Sequence, residues 1–337
     1  MSLVMPPSLA GRPAFTRAEA LAAGMTVADL KQLARVFQGV YAPSPPQTVL
    51  EQARMLSVVL PEGAAYSHVT AARLLDLPLP AGWLPEQLID VLVAGTAHAC
   101  RRPEVRGHRG PVPHHVVLPT LATPVVAHEH VFAQLAGELG REDLVILGDA
   151  VVGWRTGRTL DRLVAAVTAG HPGSLAALAA LEHVREGSAS PRETLFRLRF
   201  LEAGLPEPEL NAPIYDRSRG LVAYLDMYWR HLGVGFEYDG LWHYESSHQR
   251  QDDIARIRRV EQQGVRVVVG TRQDYPQVGG VLKQLRSAMA DQARLLGRPV
   301  PSTRHDPSTR HDPSTRAFPS RAFPSRALPS PRAIGHQ

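Results

Sequence analysis

The sequence predicts a multidomain α+β protein that ends in a disordered tail. The chain has 337 residues, and at roughly 150 residues per domain this length suggests about two domains with additional segments. Hydrophobic residues make up 44% of the chain and charged residues 20%, a balance typical of folded proteins with apolar cores. Helical periodicity and short strand-like segments both occur between residues 12 and 297, which indicates a mixed class.

Composition excludes several classes of protein. No run of about 18 apolar residues occurs, so neither a transmembrane helix nor a membrane partner is expected. The segment from Met1 to Pro13 lacks the apolar core of a signal peptide. The single cysteine, Cys100, excludes an internal disulfide and any multi-cysteine metal site. A cytoplasmic location is the resulting expectation.

Residues 298–337 are predicted to form a disordered tail. Repeats of Pro-Ser-Thr-Arg-His-Asp and Ala-Phe-Pro-Ser-Arg cannot bury enough apolar surface to fold. Six arginines and two aspartates give the segment from residue 301 a net charge of +4, whereas the whole chain carries +5. The tail is therefore either dispensable or an electrostatic arm that holds nucleic acid. In the latter case DNA affinity would fall steeply with salt.

Residues 12–80 are expected to form a winged helix-turn-helix, a DNA-binding domain. Thr16 can begin a first helix and Thr26 a second that continues to about Phe37. A short extended piece at Gly39-Val-Tyr41 follows. Thr48 and Ser67 then begin two more helices, the first through a Thr-x-x-Glu capping box. Short helices joined by a tight turn and followed by a strand fit this fold.

Residues 81–187 are expected to form a mixed middle domain in which no chemistry is apparent. Strand-like segments at 88–93 and 115–118 precede four helical segments at 125–139, 141–152, 160–169 and 174–186. Histidines are frequent here, but their spacings match no metal-ligand pattern.

Residues 188–297 contain the most informative pattern. The predicted order is helix, three strands, helix, strand and helix, at 190–203, 209–215, 221–228, 233–239, 247–263, 265–270 and 279–296. Turn-like residues connect the three consecutive strands, which favours antiparallel hairpins.

The second hairpin concentrates carboxylates. If residues 230–233 form its loop, then Asp226 lies opposite Glu237, with Cβ atoms about 5 Å apart. Strand alternation places Asp239 on the same face. Facing carboxylates repel each other, and Mg²⁺ would remove that conflict because it binds one or two carboxylates and several waters. The alternative is that these acids lie at strand ends and face solvent.

Further candidates surround this hairpin. Ser190-Pro-Arg-Glu193 is a strong helix start, so Glu193 is equally well explained as a cap or as a group beside the metal. Asp253 and Arg256 share a helix face and are expected either to form a solvated pair or to support the site. His243 is a loop histidine that could carry a proton.

Several motifs together resemble a known family. They are Ser190-Pro-Arg-Glu193, Leu225-Asp226, Phe236-Glu-Tyr-Asp-Gly240 with His243, Asp253-Ile-Ala-Arg256 and Gly264-Val-Arg-Val-Val268. Residues 188–296 resemble an actinobacterial domain-of-unknown-function family related to very-short-patch-repair endonucleases, in the PD-(D/E)xK superfamily. Residues 14–80 are similar to the N-terminal domain of abortive-infection type IV antitoxins, through the motifs Phe15-Thr-Arg-Ala-Glu-Ala20, Gly39-Val-Tyr41 and Ser67-His-Val-Thr-Ala-Ala72.

The resemblance implies a restriction-endonuclease-like core in which Asp226 and Glu237 hold Mg²⁺, with Glu193, Asp239 and His243 nearby. The lysine that the superfamily usually places two residues after the second acid is replaced here by Asp239. An arginine common near the end of the next strand is replaced by Val269. Arg256 could supply charge, either by orienting Asp253 or by contacting phosphate.

Two functions follow as expectations. The first is a Mg²⁺-dependent DNA endonuclease or nickase that an N-terminal DNA-binding domain directs to its substrate. The second is a non-enzymatic, antitoxin-type DNA-binding regulator with a degenerate nuclease fold and a cognate toxin as partner.

Overall fold

The structure confirms a mixed α+β protein. A computed structural model describes residues 4–80, 88–95, 98–167, 171–239, 247–275 and 277–299, without the side chains of residues 247–253. Helices and three sheets alternate along these ranges. None of the described helices combines the length and the apolar character needed to cross a bilayer.

The N-terminal region forms a small three-stranded sheet with two short helices. Its elements are β1 (Phe15–Thr16), α1 (Arg17–Ala22), α2 (Val27–Leu30), β2 (Ala34–Phe37) and β3 (Val40–Ala42), with strand order β1-β3-β2. Thr16 and Thr26 each begin a helix through a complete capping box, as their sequence positions predict.

The predicted extent of the second helix is wrong. It ends at Leu30, and residues 34–37 form strand β2 instead of continuing the helix to Phe37. Gly39 has φ of 73°, which allows a tight turn and lets Phe37 pair directly with Val40. Hairpin pairing thus overrides the helical periodicity of this segment.

A five-stranded sheet combines the end of the N-terminal region with the start of the middle region. Its elements are α3 (Val49–Leu56), β4 (Ala65–Tyr66), α4 (His68–Leu74), β5 (Ile89–Ala94), β6 (Val105–Gly110), β7 (His115–Val116) and β8 (Val125–Val126). The strand order is β6-β5-β4-β8-β7, so β4 is the central strand. The expected domain boundary between residues 80 and 81 therefore falls between neighbouring strands of one sheet.

Four helices complete the middle region. They are α5 (His128–Leu135), α6 (Arg141–Val152), α7 (Leu160–Ala166) and α8 (Ser174–Leu181). The bounds of α6 match the predicted segment 141–152. Residues 125–126 form strand β8, so the helix expected from residue 125 begins at His128 instead. Helix α6 is central to this layer because its buried residues include Leu144, Leu147 and Val151.

The C-terminal region has the predicted order of elements. They are α9 (Pro191–Glu202), β9 (Glu209–Tyr215), β10 (Leu221–Trp229), β11 (Val234–Asp239), α10 (Ser247–Glu261), β12 (Arg266–Thr271) and α11 (Gly279–Leu295). The sheet order is β12-β11-β10-β9. Strands β9, β10 and β11 are antiparallel, and β12 runs parallel to β11. Strands β10 and β11 are thus the two central strands.

Each face of this sheet packs against helices. On one face, Phe196 and Phe200 of α9 pack with Trp229 and Phe236 and with residues of α11. On the other face, Val260 of α10 packs among smaller residues of β9, β10 and β12. The sheet is therefore buried on both sides, as expected for central strands that carry few polar residues.

Helix α9 joins two hydrophobic cores. Phe196 and Phe200 belong to the core of the C-terminal sheet, whereas Leu198 belongs to the core of the N-terminal and middle regions. Residues four apart share a helix face, and residues two apart point in different directions. The helix consequently lies between the two parts of the protein.

A fully buried ion pair reinforces this junction. Arg197 of α9 and Asp149 of α6 are 0% and 1% exposed, and Arg197 Nη2 lies 2.8 Å from Asp149 Oδ2. Arg197 Nη2 also donates to the His183 carbonyl, and the Thr194 hydroxyl donates to Asp149. The Arg185 backbone N–H donates to the other carboxylate oxygen. These hydrogen bonds satisfy the Asp149 carboxylate, which allows its charge to be buried, whereas Arg197 Nε is buried without a hydrogen-bond partner among the described residues.

We expect Arg197→Met to lower the free energy of unfolding by about 3–5 kcal/mol, because the substitution leaves Asp149 buried without its cation. Chemical denaturation at neutral pH measures the change. The control is Arg294→Met on α11, where the exposed arginine pairs only with exposed Asp291, and we expect a loss below about 1 kcal/mol. Equal losses in both variants would contradict the importance of the buried pair.

Candidate functional site

The β10–β11 hairpin has the register predicted from its loop. Trp229 pairs with Val234, and the pairing continues to Met227 opposite Phe236. The next pair in that register is Asp226 and Glu237. The two candidate acids therefore lie opposite each other on the central strands.

Asp226 marks the point where regular pairing of these strands ends. Its Oδ2 atom accepts a 2.7 Å hydrogen bond from the Tyr238 backbone N–H. A side-chain oxygen thus takes the role that a strand carbonyl has in a regular ladder. This bond holds the half-buried Asp226 carboxylate against β11.

Glu237 is buried and paired with a cation. Its side chain is 9% exposed, and Arg256 of α10 reaches it with two 3.1 Å hydrogen bonds, Nη1 to Oε1 and Nη2 to Oε2. Paired parallel bonds are the strong form of an arginine–carboxylate contact. Arg256 Nη1 also lies 3.5 Å from the Tyr224 carbonyl oxygen. Arg256 therefore ties α10 to both central strands.

Glu193 lies in the first turn of α9, at the helix start that its sequence position predicts. Ser190 is the N-cap of α9, its hydroxyl accepts the Glu193 backbone N–H, and Pro191 begins the helix. The Glu193 carboxylate accepts the Ala189 backbone N–H at 2.9 Å and Asn211 Nδ2 at 3.2 Å. The capping prediction is confirmed, and the same carboxylate also lies beside the hairpin acids.

The three carboxylates are close enough for their charges to interact. Burial raises the pKa of Glu193 to about 7, and the charge of Asp226 adds to this effect. Burial followed by the Asp226 charge raises the pKa of Glu237 to about 7, against the opposing effect of Arg256. Burial also raises the pKa of Asp226, while the Tyr238 N–H and Arg256 act in the other direction. The cluster thus contains more negative charge than its one nearby arginine offsets.

The remaining candidates are placed differently. Asp239 is exposed and ends β11, where it pairs with Thr271 of β12. His243 and the side chain of Asp253 lie outside the described residues. The structure therefore brings together Glu193, Asp226 and Glu237, with Arg256 as their cation.

The chemistry of these donors fits Mg²⁺, which prefers carboxylate oxygens and retains several waters. Asp226 and Glu237 are the two that could hold it, and a cation there would relieve the repulsion between them. Across the described part of the chain, no group of three or more His, Cys, Asp or Glu side chains forms a metal-holding cluster.

Two other features lie away from these acids. His108 Nε2 is 2.8 Å from buried Asp90, and its ring stacks on His68 with centroids 3.6 Å apart. A cavity of about 400 Å³ lies in the N-terminal half, between residues that include Arg54 and Thr120. Neither feature contains a residue predicted for the site.

Sequence reasoning missed two contributors to the surroundings of the site. Asn211 adopts φ of 42°, a conformation that asparagine tolerates, and donates to both Glu193 and the Gly187 carbonyl. The Trp154-Arg155 pair of the middle region lies against Tyr224 of β10. The only indication in the sequence is that Trp154 and Arg155 stand between two glycines, which is typical of a turn.

Comparison with known proteins gives no relatives: no protein-family model matches the chain, and no curated protein matches it significantly.

We expect the stability of the protein to fall as pH rises through about 7, since the pKa of Glu193 is raised from 4.5 to about 7 on folding. The stabilising contribution is complete below the unfolded value and is lost above the folded value. Glu193→Gln cannot ionise, so relative to the wild type it should gain up to about 3 kcal/mol between pH 5 and pH 9.

Denaturation curves in chelator-containing buffers across this range measure the difference. The control is Glu202→Gln, because Glu202 is an exposed glutamate at the end of the same helix. A stability difference between Glu193→Gln and the wild type that does not change with pH would contradict the assignment.

Proposed function

We propose that this protein is a Mg²⁺-dependent DNA endonuclease or nickase whose site is formed by Asp226, Glu237 and Glu193. The observation that carries the proposal is that Asp226 and buried Glu237 lie on the two central strands of a four-stranded sheet, with the charge of Glu193 of α9 interacting with both. Burying like charges costs stability, and a chain that needed only stability would place apolar residues there. The cost is understandable if the acids bind a cation.

Asp226 and Glu237 are the ligands in this proposal, and bound Mg²⁺ would polarise a phosphodiester and lower the pKa of an attacking water. Arg256 holds both oxygens of Glu237 through the contacts described above. It thereby fixes the position of this carboxylate and partly offsets its repulsion with Asp226. The arginine supplies positive charge in a site whose superfamily lysine position is occupied by Asp239.

Proton transfer needs a group whose pKa lies near the working pH. Glu193 meets this condition among the described acids, with a pKa of about 7. Its carboxylate is positioned by the Ala189 N–H and by Asn211. Asp239 and His243 remain further candidates for this role because they follow Glu237 closely in sequence.

DNA is the proposed partner of the N-terminal region as well, as a winged-helix-like module. Three basic side chains there are exposed: Arg17 on α1, Lys31 after α2 and Arg35 on β2. Exposed cations on adjacent elements favour binding to a phosphate backbone. They would bring the carboxylate site to duplex DNA.

A second function, an antitoxin-type regulator that binds DNA without cleaving it, is favoured by one specific observation. Arg256 uses two nitrogens to bind both oxygens of Glu237, an arrangement that neutralises this acid without any metal. In this alternative the nuclease-like core is degenerate, and a cognate toxin is the additional partner.

We expect Asp226→Asn to abolish saturable Mg²⁺ binding and to reduce Mg²⁺-dependent nicking of supercoiled plasmid more than about 100-fold. Asparagine keeps an oxygen for the Tyr238 N–H and removes a buried charge, so the variant should fold. Calorimetric titration with Mg²⁺ and an electrophoretic nicking assay measure the two effects on the full chain. The control is Asp291→Asn, because Asp291 is an exposed aspartate on α11.

Undiminished cleavage by Asp226→Asn would refute the assigned site. If the wild type neither binds Mg²⁺ nor cleaves DNA but binds duplex, the regulator is favoured. In that case the double variant Lys31→Ala/Arg35→Ala should lose duplex binding. Deleting residues 1–80 is not a suitable test, because the deletion would remove the central strand β4 of the five-stranded sheet.

A further inference from the structure

A short loop of the middle region lies next to the carboxylate site. It follows α6 and contains Gly153 to Arg158. The Trp154 backbone N–H donates to the Ser188 carbonyl at 2.9 Å. A Cβ atom at Gly153 would stand 2.7 Å from the same carbonyl oxygen, so the backbones approach as closely as glycine permits. The loop is thus fixed to the segment that leads into α9.

Aromatic contacts connect this loop to β10. The Trp154 and Tyr224 rings meet edge to face, with centroids 5.2 Å apart and an interplanar angle of 61°. Tyr224 precedes Asp226 by two residues, about 7 Å along the strand. The Tyr224 carbonyl also accepts from Arg256. Trp154 is therefore anchored on the same stretch of strand that carries the first candidate ligand.

Arg155 lies on the outside of this aromatic pair. Its Cζ atom is 3.9 Å from the Trp154 ring centroid and 6.0 Å from that of Tyr224. The side chain is exposed and makes no ion pair with any Asp or Glu in the described part of the chain. Its backbone has φ of 63°, a left-handed conformation that is unfavourable for arginine.

These features suit a phosphate ligand. A guanidinium held over an indole face is attracted by the ring, and its N–H groups match phosphate oxygens bidentately. Stacking also reduces the entropy that a flexible side chain loses on binding. An unneutralised cation beside a cluster of three acids can attract an anionic chain that the acids alone would repel.

We propose that Arg155 is a phosphate-binding residue of the carboxylate site, positioned by Trp154, and that its ligand is the backbone of a DNA strand. The proposal rests on the proposed function, because the acids define what the strand is brought to. It assigns a cationic role toward the site to a residue of the middle region.

The test compares duplex binding by the full-length wild type, Arg155→Ala and Arg219→Ala. Arg219 is a matched control, because it is an exposed arginine in the 216–220 turn with φ of 66° and no ion pair to a described acid. The probe is a fluorescein-labelled 20-base-pair duplex, and its anisotropy is followed at several salt concentrations in chelator, which prevents cleavage.

We expect Arg155→Ala to bind about three- to tenfold more weakly than the wild type at 0.15 M salt. The slope of log affinity against log salt should also fall by about one phosphate contact, whereas Arg219→Ala should match the wild type. Arg155→Lys should retain the slope but bind more weakly than the wild type, since lysine cannot stack and chelate in the same way. If Arg155→Ala has a lower melting temperature than the wild type, Arg155→Gly is used in its place, because glycine accepts the left-handed backbone conformation.

Equal affinity and slope for Arg155→Ala and Arg219→Ala would overturn this proposal, as would the absence of duplex binding by the wild type. Mg²⁺ titration and cleavage assays of Asp226→Asn separate this outcome from failure of the proposed function. If Asp226→Asn leaves Mg²⁺ binding and cleavage intact while Arg155→Ala weakens DNA binding, the assignment of Asp226 as a metal ligand is wrong and the phosphate assignment stands. If Arg155→Ala binds DNA normally while Asp226→Asn is inactive, only the phosphate assignment is wrong.

Discussion

The buried pair of Arg197 and Asp149 is the interaction on which the rest of the structure depends. It fixes α9 against α6 at the boundary between two hydrophobic cores. The helix that it holds begins two residues before Glu193, and the helix that supplies its aspartate ends directly before the Trp154 loop. This one contact therefore positions both sides of the carboxylate site. A fully desolvated ion pair is stable only in a narrow range of geometries.

In the carboxylate site, unlike in the buried Arg197–Asp149 pair, the charged groups repel one another. Its three carboxylates are held by good hydrogen bonds, yet two of them have pKa values raised to about 7 by burial and by one another. The fold tolerates them because the central strands are buried on both faces and cannot splay apart. Arg256 reduces the repulsion without removing it. Groups in this condition are typical of functional sites, where strain is maintained by the surrounding packing.

The sequence predicts local features well and non-local ones poorly. The position of the hairpin loop, which ends at Gly233, determines which residues of the two strands face each other. Counting back from the loop therefore predicts that Asp226 lies opposite Glu237. The Ser190 cap likewise depends on residues within one turn of helix. In contrast, strand β2 was expected to be helical, because the periodicity of so short a segment does not distinguish the two states. The contact of Trp154 with Tyr224 joins residues 70 positions apart, and no spacing pattern in the sequence predicts it.

The place of β4 in its sheet has a consequence for the order in which the chain can fold. This two-residue strand lies between β5 and β8, so it is paired on both sides only when residues up to Val125 are available. When the first hundred residues have left the ribosome, the central strand β4 therefore still lacks its neighbour β8. Pairing residues so far apart in the sequence requires the entropy loss of closing a long loop before any hydrogen bond between the strands can form. Sheet formation is therefore slow relative to formation of the local helices. Helices α3 and α4, whose buried residues belong to the core shared with the middle region, thus have to wait for the middle of the protein before that core can close.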